Sequence, residues 1–233
     1  FSALFNVHAR DYDGSARLFR ANIIKPGRND FVDGFDPCQI AVDGKNASEV
    51  QNTGANARLK WNLGGGLSLN SITGYESVST LSRGDIDGSA GPYFIPLAIP
   101  FPSETADGLP DHRQFTQELR LESNTTGPMS WQAGLFYFNE DYRVESFSYD
   151  TGLGGVQNGF ATQDQDNQSW AVFGSIEYDI SDSFTLGAGL RYTEDEKDFT
   201  AERFQSPFAF LGIPPVGPLS VSPSDEDITW DVS

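Results

Sequence analysis

Apolar and polar residues alternate along residues 167–200, and this alternation predicts a β-hairpin. One face of its second strand is apolar throughout and consists of Phe184, Leu186, Ala188, Leu190 and Tyr192. The apolar face of its first strand consists of Trp170, Val172, Ile176 and Tyr178. Aromatic residues end both faces, and a tilted strand from Trp170 to Tyr178 spans about 20 Å. That length is close to the ~25 Å apolar band that lies between the two aromatic girdles of a transmembrane β-barrel.

The same two-residue period predicts further strands elsewhere in the chain. They lie at residues 1–12, 54–63, 67–82, 113–124 and 130–147 and from about 228 onward. Short turns are predicted at 64–66, 125–129 and 180–183, and long connections at 13–53, 83–112, 148–166 and 204–226. Short and long connections alternate, so one end of the sheet carries turns and the other carries loops. The sequence therefore predicts an all-β antiparallel meander of about seven strands and part of an eighth.

Face alternation alone leaves more than one architecture open. A soluble or secreted β-sandwich that binds carbohydrate or a protein partner has the same pattern. A small, complete eight-stranded barrel that serves as an adhesin or anchor is a third hypothesis. The asymmetry of the loops and the aromatic residues at the ends of the apolar faces favour an outer-membrane barrel wall. Both termini fall within alternating stretches, so we expect residues 1–233 to be an internal segment of a longer barrel domain.

Composition agrees with this interpretation and excludes two classes of protein. The chain has a mean hydropathy of −0.39 and no apolar run near the roughly 18 residues of a transmembrane helix. A negative mean hydropathy does not argue against a barrel, because its strands face lipid only at every second residue. The 15 basic and 33 acidic residues give a net charge of −18, which argues against a nucleic-acid partner.

The acidity and the single cysteine add smaller constraints. The carboxylates belong either to a solvated surface or to surface loops that bind cations or meet divalent-bridged lipopolysaccharide. Cys38 is alone, so no disulfide framework forms within the chain, and its thiol is either free or paired with a cysteine elsewhere. No nucleotide-binding or nucleophile motif is present, so neither an enzymatic activity nor a cofactor is expected.

Four stretches together resemble one known family. They are ITGYESVSTLSRGDIDG (72–88), QFTQELRLES (114–123), GPMSWQAGLFYF (127–138) and SWAVFGSIEYDISDSFTLGAGLRYTEDEKDF (169–199). In order and spacing they are similar to the barrel domain of TonB-dependent outer-membrane receptors. The resemblance covers nearly the whole chain and is strongest over residues 111–200.

The resemblance implies a barrel of 22 antiparallel strands in the outer membrane of a Gram-negative bacterium, with short periplasmic turns and long extracellular loops. It also implies an N-terminal plug, energy supplied by TonB, ExbB and ExbD, and contact with membrane lipid and lipopolysaccharide. Family members take up small molecules, among which a ferric siderophore is favoured here and cobalamin or carbohydrate are alternatives. This chain contains neither a plug nor a TonB box, so the segment alone is not expected to transport anything.

Charged residues of both signs are predicted on the inner face of the wall. They are Arg58, Lys60, Glu76, Glu118, Arg120, Glu122, Glu177 and Arg191. Hydrogen bonding to a plug and a solvated lumen wall are both compatible with this set, and we favour either over direct ligand contact. The two histidines, His8 and His112, have no partner at metal-ligand spacing in the sequence.

Two features of the long connections are further candidates. The segment RGDIDG (83–88) places Asp85 and Asp87 at alternate positions, as in part of a calcium loop, but no glutamate follows at the spacing of an EF-hand. We therefore expect these carboxylates to cap the turn and to pair with Arg83 rather than to bind metal. Aromatic loop residues are predicted either to contact a ligand at the outer mouth or to pack the loops together. They are Tyr93, Phe94, Phe101, Phe204, Phe208 and Phe210.

Overall fold

The structure, a computed structural model, describes residues 1–15, 18–90, 103–123 and 127–233, with the side chain of Phe210 left out. The strands are β1 (Ser2–Gly14), β2 (Ala47–Gly64), β3 (Leu67–Asp85), β4 (Glu104–Ser123), β5 (Met129–Asp150), β6 (Val156–Ser181), β7 (Phe184–Gln205), β8 (Val216–Val221) and β9 (Ser224–Val232). Two short 3₁₀ helices, Thr151–Leu153 and Ala209–Leu211, lie in connections. No helix in these ranges is long and apolar enough to cross a membrane.

All nine strands of the described residues belong to one antiparallel sheet, in which each strand from β1 to β7 pairs with the next along the chain. The strand β9 also pairs with β7, beside a different part of it. Val221 of β8 lies opposite Phe199 and Ser224 of β9 lies opposite Glu196, so β8 and β9 follow each other along one edge. The sheet thus has eight strand positions, which confirms the predicted meander. Because a single sheet contains every described strand, the β-sandwich alternative is wrong.

Several predicted connections are wrong because the strands are longer than the alternation indicated. The connection predicted at 148–166 shrinks to residues 151–155, since Asp150 already pairs with Val156. The connection predicted at 204–226 contains the strand β8, and β2 begins seven residues before the predicted start at 54. In these extensions both faces carry polar residues, so the period of two disappears from the sequence although the backbone ladder continues.

Two prolines lie inside strands of the sheet. Pro110 lies inside β4, at a place where the register shifts against both neighbouring strands. Pro218 lies inside β8, again beside a register shift, between the Ala201 and Arg203 pairs. A bulge leaves a residue out of the ladder, so the N–H that proline lacks is not needed there.

The register carries one apolar band across the whole sheet. Leu135 of β5 lies opposite Val172 of β6, and Leu190 of β7 lies opposite Trp230 of β9. Leu135 is 54% exposed and Leu190 is 59% exposed, which shows that nothing in the described chain covers this band. An apolar surface of this extent is typical of contact with lipid rather than with water. The opposite face is the candidate inner face, and the turns at 65–66 and 182–183 mark the end of the strands that is predicted to be periplasmic.

Candidate functional site on the inner face

The strand register places all eight predicted charged residues on the face opposite the apolar band. The link runs from strand to strand: Lys60 lies opposite Asn70, and Asn70 lies opposite Arg120. On the other side of the sheet, Glu177 lies opposite Gly187, on the face that Arg191 shares. Their common orientation follows from this register, while their role toward a plug or a ligand stays a prediction.

Four of these residues form a network of ion pairs near the short turns. Lys60 Nζ lies 3.6 Å from Glu122 Oε2, and Arg120 Nε lies 2.7 Å from Glu122 Oε1. Arg120 Nη1 lies 3.4 Å from Glu118 Oε1. The Arg120 Nε and Glu118 Oε1 atoms are buried and make no aligned hydrogen bond, so these contacts are ion pairs, while the four side chains are 22–42% exposed. A partly exposed surface with charges of both signs is suited to contact another polar surface.

The other inner-face candidates lie apart from this network. The Arg191 guanidinium lies 5.5 Å from the ring centre of Phe136 and 5.8 Å from that of Phe173, within the range of cation–π attraction. Ser130 Oγ donates to Glu177 Oε2 across 3.5 Å. Arg58 is exposed and makes no ion pair among the described residues. The structure therefore divides the predicted set into one network and separate single residues.

Two histidine–glutamate pairs on the inner face were missed from the sequence. His8 Nε2 lies 3.1 Å from Glu76 Oε2, and Asn52 Nδ2 donates to the same oxygen at 3.1 Å. His112 Nε2 lies 2.9 Å from Glu140 Oε1. The two members of each pair lie on different strands, so only knowledge of the register could have revealed them.

A second polar cluster lies where β3 and β4 leave the sheet toward the long connection. Asp85 Oδ1 accepts from the N–H of Gly88 at 2.7 Å, and Asp85 Oδ2 accepts from the N–H of Gly44 at 2.9 Å. Asp87 Oδ1 accepts from the N–H of Ser89 at 3.0 Å. The predicted capping of the turn is therefore observed, and both aspartates are buried.

The predicted pairing of these aspartates with Arg83 is wrong. Arg83 instead pairs with Glu104, which is 2% exposed, and its guanidinium lies 3.8 Å from the ring centre of Tyr149. Arg83 and Glu104 lie on neighbouring strands and face the same side, whereas the carboxylates of Asp85 and Asp87 accept from the loop backbone.

The pKa of the Asp85 carboxyl differs from its usual value. Burial raises the pKa of the Asp85 carboxyl above its usual value, and the N–H groups of Gly88 and Gly44 only partly offset that effect. Oxygen atoms of Asp43, Asp85 and Asp87 lie within 4.8 Å of one another. Because backbone N–H groups already donate to these aspartates, the cluster is a capped loop base, and the expectation that it does not bind metal stays a prediction.

Only some of the predicted aromatic loop residues have side chains that the structure describes. Tyr93, Phe94 and Phe101 lie outside the described residues, as does the side chain of Phe210. Phe208 is exposed in the connection after β7. Phe204 lies in β7, where its ring stacks on Phe160 with 5.3 Å between centroids. A role of these residues in ligand contact stays a prediction.

The two faces, the apolar band and the loop-rich end define a wall segment of an outer-membrane β-barrel. A family model described as the TonB dependent receptor-like β-barrel matches residues 4–221, and the chain belongs to this family. No curated protein sequence matches the chain.

One solved structure is similar in fold, namely the crystal structure of the ferric yersiniabactin uptake receptor FyuA from Yersinia pestis. The TM-score is 0.71 at 12% sequence identity, and the match covers 99% of this chain and 31% of that receptor. The chain therefore spans about a third of the receptor's length.

Proposed function

We propose that the protein containing this chain is an outer-membrane receptor that takes up a scarce nutrient with energy from TonB, ExbB and ExbD. One observation carries the proposal: a single sheet presents an uncovered apolar band on one face and mixed charges on the other. A sheet of this kind, closed into a barrel by further strands, satisfies its backbone hydrogen bonds in lipid while keeping polar groups inside. Membership in the TonB-dependent receptor-like family supports the same class of function.

A ferric siderophore is the nutrient class that we favour, with cobalamin or carbohydrate as alternatives. The support is the similarity in fold to a receptor whose title names ferric yersiniabactin uptake. Ligand contact is assigned to the loop-rich end, where Phe208 is exposed beyond β7. Aromatic side chains offer apolar area to an organic ligand at a low cost in conformational entropy.

The inner-face network is assigned to contact with a plug domain. Its members carry both signs of charge, and their side chains are 22–42% exposed on the inner face. A globular domain inside the barrel would supply polar partners for the exposed parts of these side chains. Residues 1–233 are accordingly assigned as one segment of the barrel domain of a larger receptor.

Nutrient uptake by whole cells tests this proposal. The gene for the full-length receptor is deleted and restored, and accumulation of ⁵⁵Fe-labelled siderophores, labelled cobalamin and labelled oligosaccharides is measured during starvation for each nutrient. We expect one class to require both the receptor and TonB, and outer-membrane vesicles to contain the receptor. Accumulation of all three classes that is the same with and without the receptor contradicts the proposal, as does a receptor recovered in the soluble fraction.

A further inference from the structure

An arginine and an aspartate on the inner face lie close together without forming an ion pair. Arg191 of β7 lies opposite Thr229 of β9, and Asp231 lies two positions beyond Thr229. The two charged residues are therefore diagonal neighbours on one face of the sheet, a placement in which Cα atoms are roughly 7–8 Å apart. Neither makes an ion pair with the other or with any residue in the described ranges. Opposite charges that are so close and do not meet can both bind a third group.

The Arg191 side chain is held by other contacts. Its guanidinium lies 5.5 Å from the ring centre of Phe136 and 5.8 Å from that of Phe173. Its Nε donates to Thr193 Oγ1 at 3.0 Å. These contacts outweigh an exposed ion pair, which contributes little in water. The Nη1 and Nη2 atoms, a pair that can bind a carboxylate in bidentate fashion, make no hydrogen bond among the described residues.

The Asp231 carboxylate reaches over Gly189 because that residue has no side chain. Gly189 lies directly opposite Asp231, and a Cβ atom added at Gly189 would clash with Asp231 Oδ1. The carboxylate thus extends from β9 across β7 in the direction of β6. There Ser175 lies opposite Gly189, and Ser175 in turn lies opposite Gln132 of β5.

Arg191 and Asp231 line one open depression, whose volume is about 400 Å³. Its walls also include Phe173, Ser175 and Gln132. We call this depression the inner-face niche. The Ser175 hydroxyl and the Gln132 amide make no side-chain hydrogen bond within the described part of the chain. The inner-face niche therefore combines a cation, an anion, two neutral hydrogen-bonding groups and one aromatic wall, and its volume falls in the range of small-molecule sites.

The inner-face niche lies in the half of the wall that is nearer to the short turns. Gly189 is only the sixth residue of β7, which follows the turn at 182–183. The register leads from Arg191 through Phe173 to Arg120, so the niche is level with the ion-pair network. It is thus remote from the loop-rich end, and a molecule that enters through the loops reaches it only after it has passed them.

We propose that the inner-face niche binds the zwitterionic head of an amino-acid-type ligand, with the carboxylate on Arg191 and the ammonium on Asp231. Charge complementarity selects this class, because a plain anion would face Asp231 and a plain cation would face Arg191. A carboxylate and an ammonium on one carbon, with a hydrogen bond of about 2.8 Å at each end, bridge two side chains at this spacing. An apolar side chain of the ligand packs on Phe173.

This inference rests on the proposed function and deepens it. The inner-face niche faces a transport route only if further strands close the sheet into a barrel, and the niche then adds a ligand class to that route.

The test uses the full-length receptor in detergent micelles and three probes of similar shape. They are L-phenylalanine, 3-phenylpropionate, which lacks the ammonium, and phenethylamine, which lacks the carboxylate. Dissociation constants are measured by saturation-transfer NMR. We expect L-phenylalanine to bind about tenfold more tightly than either other probe, because it alone pairs with both charges. Equal affinities for the three probes overturn the proposal, and so does an absence of L-phenylalanine binding.

Two substitutions assign the two ends of the probe. Asp231→Asn is expected to weaken L-phenylalanine binding about tenfold and to leave 3-phenylpropionate binding no weaker. Arg191→Gln is expected to weaken binding of both carboxylates and to leave phenethylamine binding no weaker. A merely structural effect would lower all three affinities together in both variants, and that result overturns the proposal.

Arg113→Gln and Asp141→Asn are the matched controls. These two residues lie opposite each other on the face of the apolar band, and their substitutions make the same two charge changes away from the niche. Both controls are expected to leave the three affinities unchanged. Faster limited proteolysis of a domain inside the barrel in Asp231→Asn, with probe affinities unchanged, identifies that domain as the occupant and overturns the proposal.

The outcomes separate this inference from the proposed function. Receptor-dependent nutrient uptake together with equal probe affinities contradicts the niche alone. Charge-dependent binding of L-phenylalanine without any receptor-dependent uptake contradicts the proposed function and leaves the binding site standing.

Discussion

The carboxylate of Glu76 reaches His8 across Gly54, with 3.1 Å between His8 Nε2 and Glu76 Oε2. The histidine is on β1 and the glutamate is on β3, so the strand β2 lies between them. A Cβ atom at Gly54 would lie 2.3 Å from Glu76 Oε1. The contact between the first and third strands therefore depends on the absence of a side chain on the second.

Gly54→Ala is expected to uncouple His8 from Glu76. In the wild-type background a double-mutant cycle of His8→Ala and Glu76→Ala should give a coupling free energy of about 0.5–1 kcal/mol for this half-exposed pair. In the Gly54→Ala background the new methyl group displaces the carboxylate, so the coupling should fall to about zero. The measurement is urea unfolding of the full-length receptor from lipid vesicles, and an unchanged coupling would contradict the prediction.

Gly134→Ala is expected to destabilise the wall, whereas Gly174→Ala on the neighbouring strand is expected to be tolerated. A Cβ at Gly134 would lie 2.4 Å from Phe173 Cζ and 2.8 Å from the Leu119 backbone oxygen. At Gly174 the nearest atom would be 3.4 Å away, which is ordinary contact. Overpacking of this kind costs about 1–3 kcal/mol. Equal free energies of unfolding for the two variants would contradict the prediction, since the sheet would then accommodate the added methyl group at Gly134 without cost.

Glu104→Ala is expected to destabilise the base of the loops far more than Asp164→Ala. Loss of Glu104 leaves the Arg83 guanidinium without its carboxylate in a site where the two side chains are 18% and 2% exposed. Breaking such a buried pair costs about 3–5 kcal/mol. The pair of Arg143 and Asp164 is exposed, so its loss should cost less than about 1 kcal/mol. Hydrogen exchange of the backbone N–H groups measures the first variant in β3 and β4 and the second in β5 and β6, and a similar loss of protection in both would argue against the prediction.

The capped loop base is expected to become more stable as the pH falls toward the acid range. Because the folded-state pKa of Asp85 is raised above the unfolded value of 3.8, the folded state binds more protons between these two pKa values. Stability is therefore lost as the pH rises through that window and is regained on acidification. Hydrogen exchange at the Gly44 and Gly88 N–H groups, corrected for its intrinsic pH dependence, should show this trend.

Asp85→Asn is the control for the pH experiment, because the amide does not titrate. The pH dependence of loop opening should be smaller in Asp85→Asn than in the wild type. An identical dependence in both proteins would assign the titration to another group of the loop base.

Spin labels should distinguish the two faces of β6 in the full-length receptor. A label at Val172 should be relaxed by oxygen dissolved in lipid and protected from a polar nickel chelate, since Val172 belongs to the apolar band. A label at Ser175, on the opposite face, should be protected from lipid-dissolved oxygen. Labels at Leu186 and Leu190 should behave like the label at Val172. Access of the chelate to Val172 from bulk water would contradict the membrane assignment.

The sequence predicted the fold best where the chain has two different environments on its two sides. Leu186, Leu190 and Val172 alternate with polar residues or glycine because one face contacts lipid and the other does not, so the strand appears as a pattern. Beyond the band, Asp164 and Gln165 face opposite sides but both are polar. The strand continues there, but no alternation in the sequence indicates it.

The sequence predicted which face of the sheet the candidate residues share, but not which residues they contact. The period of two placed Arg58 and Glu177 on one side without knowledge of their neighbours. The contact of His8 with Glu76 requires the register of three strands, and that of Arg83 with Glu104 requires the course of the chain through a long connection. The position of Pro110 inside β4 was not predictable, because the register shift that accommodates it is a property of the paired strands.

The hairpin of β5 and β6 stays paired to its last residues, Asp150 and Val156, and only five residues join the strands. At this hairpin the loop-rich end of the wall is thus a ribbon that stays paired to its tip apart from one bulge, so this part of the edge is built as a rigid element rather than as a mobile loop.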